Sequence, residues 1–151
     1  MWSILFSLTN LLALLGWMLL VFAPRQPLVH SIILYLCVAA LCLTYLVLFA
    51  LVLSGGLDPH RMAGAGEISG SSIGGVRAFF ASDGGVVIGW THYLAFDLFV
   101  GQWIARDADH KGVPRWAQLP ILFLTLMAGP VGLVIWLVVR ERRARAIARR
   151  V

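Results

Sequence analysis

The stretch GWTHYLAFDLFVGQW, residues 89–103, carries His92 and Asp97 inside a run otherwise apolar enough to lie in lipid. A charged group at the bilayer centre costs about 2.5–3.5 kcal/mol on insertion scales, so such residues are usually paired or functional. Asp97 is the only acid in the interior of any long apolar run of this chain. A carboxyl group shielded from water can act as a general acid, with a histidine as partner base or as the group that orients it. His92 and Asp97 are five positions apart, which on a helix is about 140° of rotation and roughly 7 Å of rise. They therefore do not stack as an i, i+4 pair would, and Tyr93 is the residue that shares a face with Asp97.

Counting along the other apolar runs puts Asn10, Thr44 and Tyr45 in the same layer. The expectation is a polar pocket of Asn10, Thr44, Tyr45, His92, Tyr93 and Asp97, open toward the cytoplasmic leaflet. Such a cluster has two readings. Hydrogen bonds between helices, worth about 1 kcal/mol each, would hold a bundle together. Alternatively, Asp97 and His92 are catalytic and the other polar groups bind a substrate. The carboxylate favours the second reading, because asparagine or serine would serve as glue. No CxxC or HExxH spacing occurs, and Cys37 and Cys42 lie five residues apart on different faces of one run, where they cannot bridge. No metal and no cofactor is expected.

The elements that position these groups follow from hydropathy. The 151 residues are 60% hydrophobic and 13% charged, with a mean hydropathy of +0.88, far from a soluble domain. Four apolar blocks, about 2–23, 28–53, 86–106 and 116–139, each have the roughly 20 residues that a helix needs to cross a bilayer core. The expected fold is all-α, an integral membrane four-helix bundle forming a single domain. Six of the 12 lysines and arginines lie in the tail RERRARAIARRV, residues 140–151. The positive-inside rule makes that tail cytoplasmic. With four crossings the amino terminus and the long connection 54–85 are then cytoplasmic too. The tail reads as a topology signal with affinity for anionic membrane lipids; no nucleic-acid-binding module accompanies the charge.

In FAPRQP two prolines force a tight turn between the first two blocks. In the glycine- and serine-rich connection, VRAFFAS reads either as a short interfacial helix or as the apolar end of a flexible linker, with Ser82 or Asp83 capping the third span. Trp2, Trp103, Trp116 and Trp136 fit interfacial belts, whereas Trp17 and Trp90 either pack or line a lipid-like ligand. In MAGPVGLV, Pro130 is expected to bend the fourth helix, and Gly129 and Gly132 to admit a close neighbour.

Taken in order, FAP (22–24), RAFFAS (77–82), WTHYLAFDLFVG (90–101) and GPVG (129–132) resemble a known family. This is the family of the plant abscisic-acid-deficient four protein, associated with neoxanthin formation, and its bacterial and cyanobacterial relatives. The Trp-x-His followed by Asp-Leu-Phe is its specific part. The resemblance implies a four-helix membrane protein in xanthophyll chemistry, where an epoxide is isomerised to an allenic alcohol without a redox cofactor. It carries over His92 and Asp97, and with them Trp90 and Phe99 as substrate-binding residues. Plant members have an arginine soon after Asp-Leu-Phe, where this chain has Gln102 as a substrate-binding candidate, which implies another substrate or none. The chain starts directly in a span, with no plastid transit segment, and so reads as a bacterial inner-membrane protein. The expected role is a carotenoid-binding protein or isomerase with a lipophilic carotenoid ligand. Self-association is allowed. The alternatives are a non-catalytic scaffold or assembly factor, and a proton or lipid pathway centred on Asp97.

Overall fold

The computed structural model describes residues 1–57, 68 and 70–148, with the side chains of the last helix described to Arg142. Among these residues every regular element is a helix. Helix α1 is Trp2–Phe22 and α2 is Pro27–Leu53, and both are long and apolar enough to cross a membrane. The turn between them follows from its prolines: Ala23 is extended and Pro27 stands in the first turn of α2, where its missing N–H costs nothing. Residues Ile32–Val38 of α2 form a π-helix, a wider turn often found at functional sites.

The connection 54–85 is described in part. Its segment 58–67, and residue 69, lie outside the described residues. The expected interfacial helix is α3, Ile73–Phe79, capped by Ser72. Helix α4, Asp83–His110, begins at Ser82, whose hydroxyl accepts from Gly85 N at 3.1 Å. The corner is tight enough that a Cβ on Gly85 would meet the Phe79 carbonyl.

Helix α4 is the axle of the fold: α1 and α2 pack on it, as do the two helices that follow it. Small residues set the approach. The Trp17 ring lies over Gly101, and Gly16 faces Leu98 and Cys37, the close contact that lets helices pack without a hydrophobic driving force. The core around these contacts is Trp17, Leu20, Ile33, Leu41, Leu98 and Ile104, joined by fully buried Trp136.

Where hydropathy reads one crossing over 116–139, the structure has two helices, α5 (Arg115–Met127) and α6 (Gly129–Ala148), with an irregular Ala128 between them. Pro130 stands in the first turn of α6, so it starts a new helix instead of bending an old one. The two helices fold back on each other. Gln118, early in α5, donates to Asp109 Oδ1 and to the Val113 carbonyl, both at 2.8 Å. In α6, Trp136 Nε1 and Arg140 Nε donate to Asp107 Oδ2 at 3.2 and 2.7 Å. Both open ends of the hairpin therefore lie at the His110 end of α4, and its tip lies beside the middle of α4. At 13 residues, α5 is about 20 Å long, short of a 30 Å core. Gly132 makes the hairpin possible, since a Cβ there would meet the backbone of Thr125.

The same end carries the α1–α2 turn, because Arg115 donates to the Ala23 carbonyl at 2.6 Å and Arg25 pairs with Asp109 at 2.9 Å. The basic end of α6 thus emerges beside Arg25, Lys111 and Arg115, not at the opposite face as four crossings would require.

Candidate functional site

The tip of the α5–α6 hairpin meets α4 at Asp97 and Tyr93. Asp97 is 7% exposed. Its carboxyl group lies against the Tyr93 hydroxyl and the Gly129 backbone N–H, and a Cβ on Gly129 would collide with it. Two residues of the tip thus meet one helix face: Tyr93 donates its hydroxyl to the Met127 carbonyl at 2.8 Å, and Asp97 faces the start of α6. A helix N-terminus carries a partial positive charge and unpaired N–H groups, so a carboxylate is stabilised there. Asp97 Oδ2 is buried without a hydrogen-bond partner among the described residues. One carboxyl oxygen is held and the other is left over.

A row of polar and aromatic groups continues from this point. The Trp90 ring stacks on Tyr93, centroids 5.3 Å apart, and its Nε1 donates to Asn10 Oδ1 at 3.1 Å. Asn10 is itself fixed by donating to the Phe6 carbonyl at 2.7 Å. The row Asn10, Trp90, Tyr93, Asp97 joins α1 through α4 to the hairpin tip.

The remaining candidates lie elsewhere. His92 is exposed on the far side of α4, its ring stacked on Phe96 at 4.6 Å and tilted against Tyr45 at 5.3 Å. The pairing of His92 with Asp97 is not formed, for the reason their spacing gave: five residues turn the helix by about 140°. Tyr45 stacks on Phe49, and Thr44 donates to the Ala40 carbonyl of its own helix at 2.9 Å. The expected six-residue pocket is thus divided between two faces of α4. Gln102, 3% exposed, donates to the His30 carbonyl at 2.7 Å, tying α4 to α2 two residues before the π-helix begins. Phe99 is exposed and lines an apolar cavity with Phe96 and residues of the π-helix. No group of three or more metal-ligating side chains occurs among the described residues.

Sequence reasoning missed the hairpin tip as part of the site, because its partners for Tyr93 and Asp97 are backbone atoms of Met127 and Gly129. The usable signal was GPVG, read as a bend. It also missed the cluster of Arg25, His30, Arg106 and His110 around one cavity, which no spacing along the chain marks.

Comparison with known proteins gives one match: the sequence model of the family described as ABA4-like, ABA DEFICIENT 4-like, covers residues 4–136. No curated protein and no solved structure matches the chain.

Proposed function

The chain belongs to the ABA DEFICIENT 4-like family, and on that footing we propose that it is a multi-pass membrane protein of carotenoid metabolism that isomerises a xanthophyll end group at Asp97. The observation that carries this reading is the half-satisfied carboxyl of Asp97, buried where the hairpin tip meets α4. In the reaction, Asp97 gives its proton to an epoxide oxygen as the carbon–oxygen bond breaks. The resulting carboxylate takes a proton from the neighbouring polyene carbon. Protons balance, no electrons leave the substrate, and the cycle returns Asp97 to its starting form. The Gly129 N–H, at the start of α6, steadies the carboxylate between the two transfers. His92, on the other face of α4, takes no part in this scheme, although it was the first partner that the sequence suggested.

The proposed topology is three crossings, by α1, α2 and α4, followed by a hairpin that enters and leaves on one side. Among the described residues this gathers eight basic residues at one end: Arg25, Arg106, Lys111 and Arg115 with Arg140, Arg142, Arg143 and Arg145 of α6. Arg77 stands at the other. The positive-inside rule then supports a cytoplasmic carboxyl terminus and an amino terminus on the opposite side.

A second reading has its own observation. Asp97 latches the hairpin to α4, and a scaffold would use it so. The test is pigment chromatography of a carotenoid-producing bacterial strain expressing wild type or Asp97→Asn at matched protein levels. The isomerase makes a new xanthophyll that Asp97→Asn abolishes while the purified protein keeps its helical signal and thermal midpoint. No new pigment from wild type, together with a destabilised Asp97→Asn protein, defeats the isomerase and favours the latch.

A further inference from the structure

On the face of α4 turned away from Asp97, three cavities adjoin along the seam with α2. The first, about 630 Å³, lies at the basic end and is lined by Arg25, His30, Tyr35, Arg106 and His110 among others. The second, about 360 Å³, shares Arg106, His110 and Leu34 with it. The third, about 470 Å³, is lined by Leu34, Tyr35, Val38, Cys42, Phe96 and Phe99 with two alanines. Leu34 borders all three, so they form one trough with a charged end and an oily end. The π-helix, Ile32–Val38, supplies Leu34, Tyr35 and Val38; its wider turn is the irregular wall of the trough.

The charged end is built for an anion. Arg25 is held in place by the Ala105 carbonyl at 3.0 Å and Asp109 at 2.9 Å. Asp109 offsets that one charge. Arg106 is exposed and makes no hydrogen bond or ion pair through its side chain among the described residues. His30 Nδ1 is buried with no partner there. Asp107, which borders the second cavity, is taken up by Lys111 and Arg140, so Arg106 leaves the mouth net positive, and the cavity beyond it is lined by apolar side chains. We infer that this trough binds a single anionic phospholipid, its phosphate at Arg106 and Arg25 and one acyl chain between α2 and α4. A sterol or other neutral lipid would leave Arg106 without a counter-charge, and a free phosphate would leave the slot unused. The inference does not depend on the Asp97 chemistry, which lies on the other face.

The test uses the full chain purified in neutral detergent, incubated with equimolar phosphatidylglycerol and phosphatidylcholine of matched acyl chains, and read by native mass spectrometry. Wild type should retain phosphatidylglycerol about fivefold over phosphatidylcholine, the discrimination of one basic residue at an anionic headgroup. Arg106→Gln should bring the ratio near unity. Arg106→Lys should keep most of it, and Arg77→Gln at the far end should leave it unchanged. Ala39→Trp, filling the apolar slot, should lower total retention several-fold in a protein that remains monodisperse. Equal retention of the two lipids by wild type overturns the inference. So does retention that Ala39→Trp leaves intact while millimolar inorganic phosphate abolishes it, which would make the mouth a free-anion site.

Discussion

Asp97 and Tyr93 owe their surroundings to atoms that have no side-chain signature. Their spacing on one face of α4 was legible, and so was the angular separation that keeps His92 away. Their partners on the hairpin tip were not, because a backbone carbonyl at Met127 and an N–H at Gly129 leave no mark in residue type. Two substitutions probe the contact. Tyr93→Phe removes the hydroxyl that donates to Met127 and should cost about 0.6–1 kcal/mol in stability, with xanthophyll turnover falling further than the thermal midpoint suggests. Gly129→Ala puts a methyl group into the Asp97 carboxyl, an overpacking expected to cost about 1–3 kcal/mol. Thermal unfolding in detergent measures both; a Gly129→Ala protein as stable as wild type would mean that the tip is not seated on Asp97.

At the scale of elements, hydropathy identified the helices α1, α2 and α4, and a cap at Ser82 or Asp83 followed from their position before an apolar run; Ser82 supplies it. What it misread was the last block. A hydropathy window counts apolar residues and is blind to direction, so a 13-residue helix and the apolar start of a 20-residue one, joined at Ala128 and Gly129-Pro130, look like one crossing. The correction rests on Asp107, where Lys111 and Arg140 from two elements converge. Burial pushes the Asp107 carboxyl up, but hydrogen bonds and charge from Lys111 and Arg140 outweigh it and hold the group below the usual carboxylate range. A depressed carboxyl contributes stability that is complete above the unfolded value, about 3.9, and is lost as pH falls through the folded one. Wild type should therefore lose stability on acidification below about pH 4 more steeply than Asp107→Asn, which should be less stable at neutral pH. Calorimetry across that range checks the sign; parallel curves would show that the cluster does not tie α6 to α4. Gly132→Val, which brings a side chain against Thr125, should open the same hairpin from its tip, read as a loss of thermal stability.

For the whole molecule, the proposed orientation in the membrane turns on the hairpin. Single cysteines at Ser3 and Ala144, in a chain lacking Cys37 and Cys42, should react oppositely with a membrane-impermeant maleimide in intact cells, the first labelled and the second protected. Equal protection of both ends would restore four crossings. The apolar blocks gave the membrane reading and the tail gave a strong charge signal, but the number of crossings between them lay in the turn at Ala128. That turn also bears on how the protein is made. Neither α5 nor the apolar part of α6 is long enough to be recognised as a stop-transfer segment by itself, so the pair has no independent route across the bilayer during synthesis. On the proposed three-crossing topology, the pair would enter late and as a unit, from the side on which it was released, to dock on α4. The contact of the hairpin tip with Asp97 and Tyr93 is then made only after α6 has been synthesised.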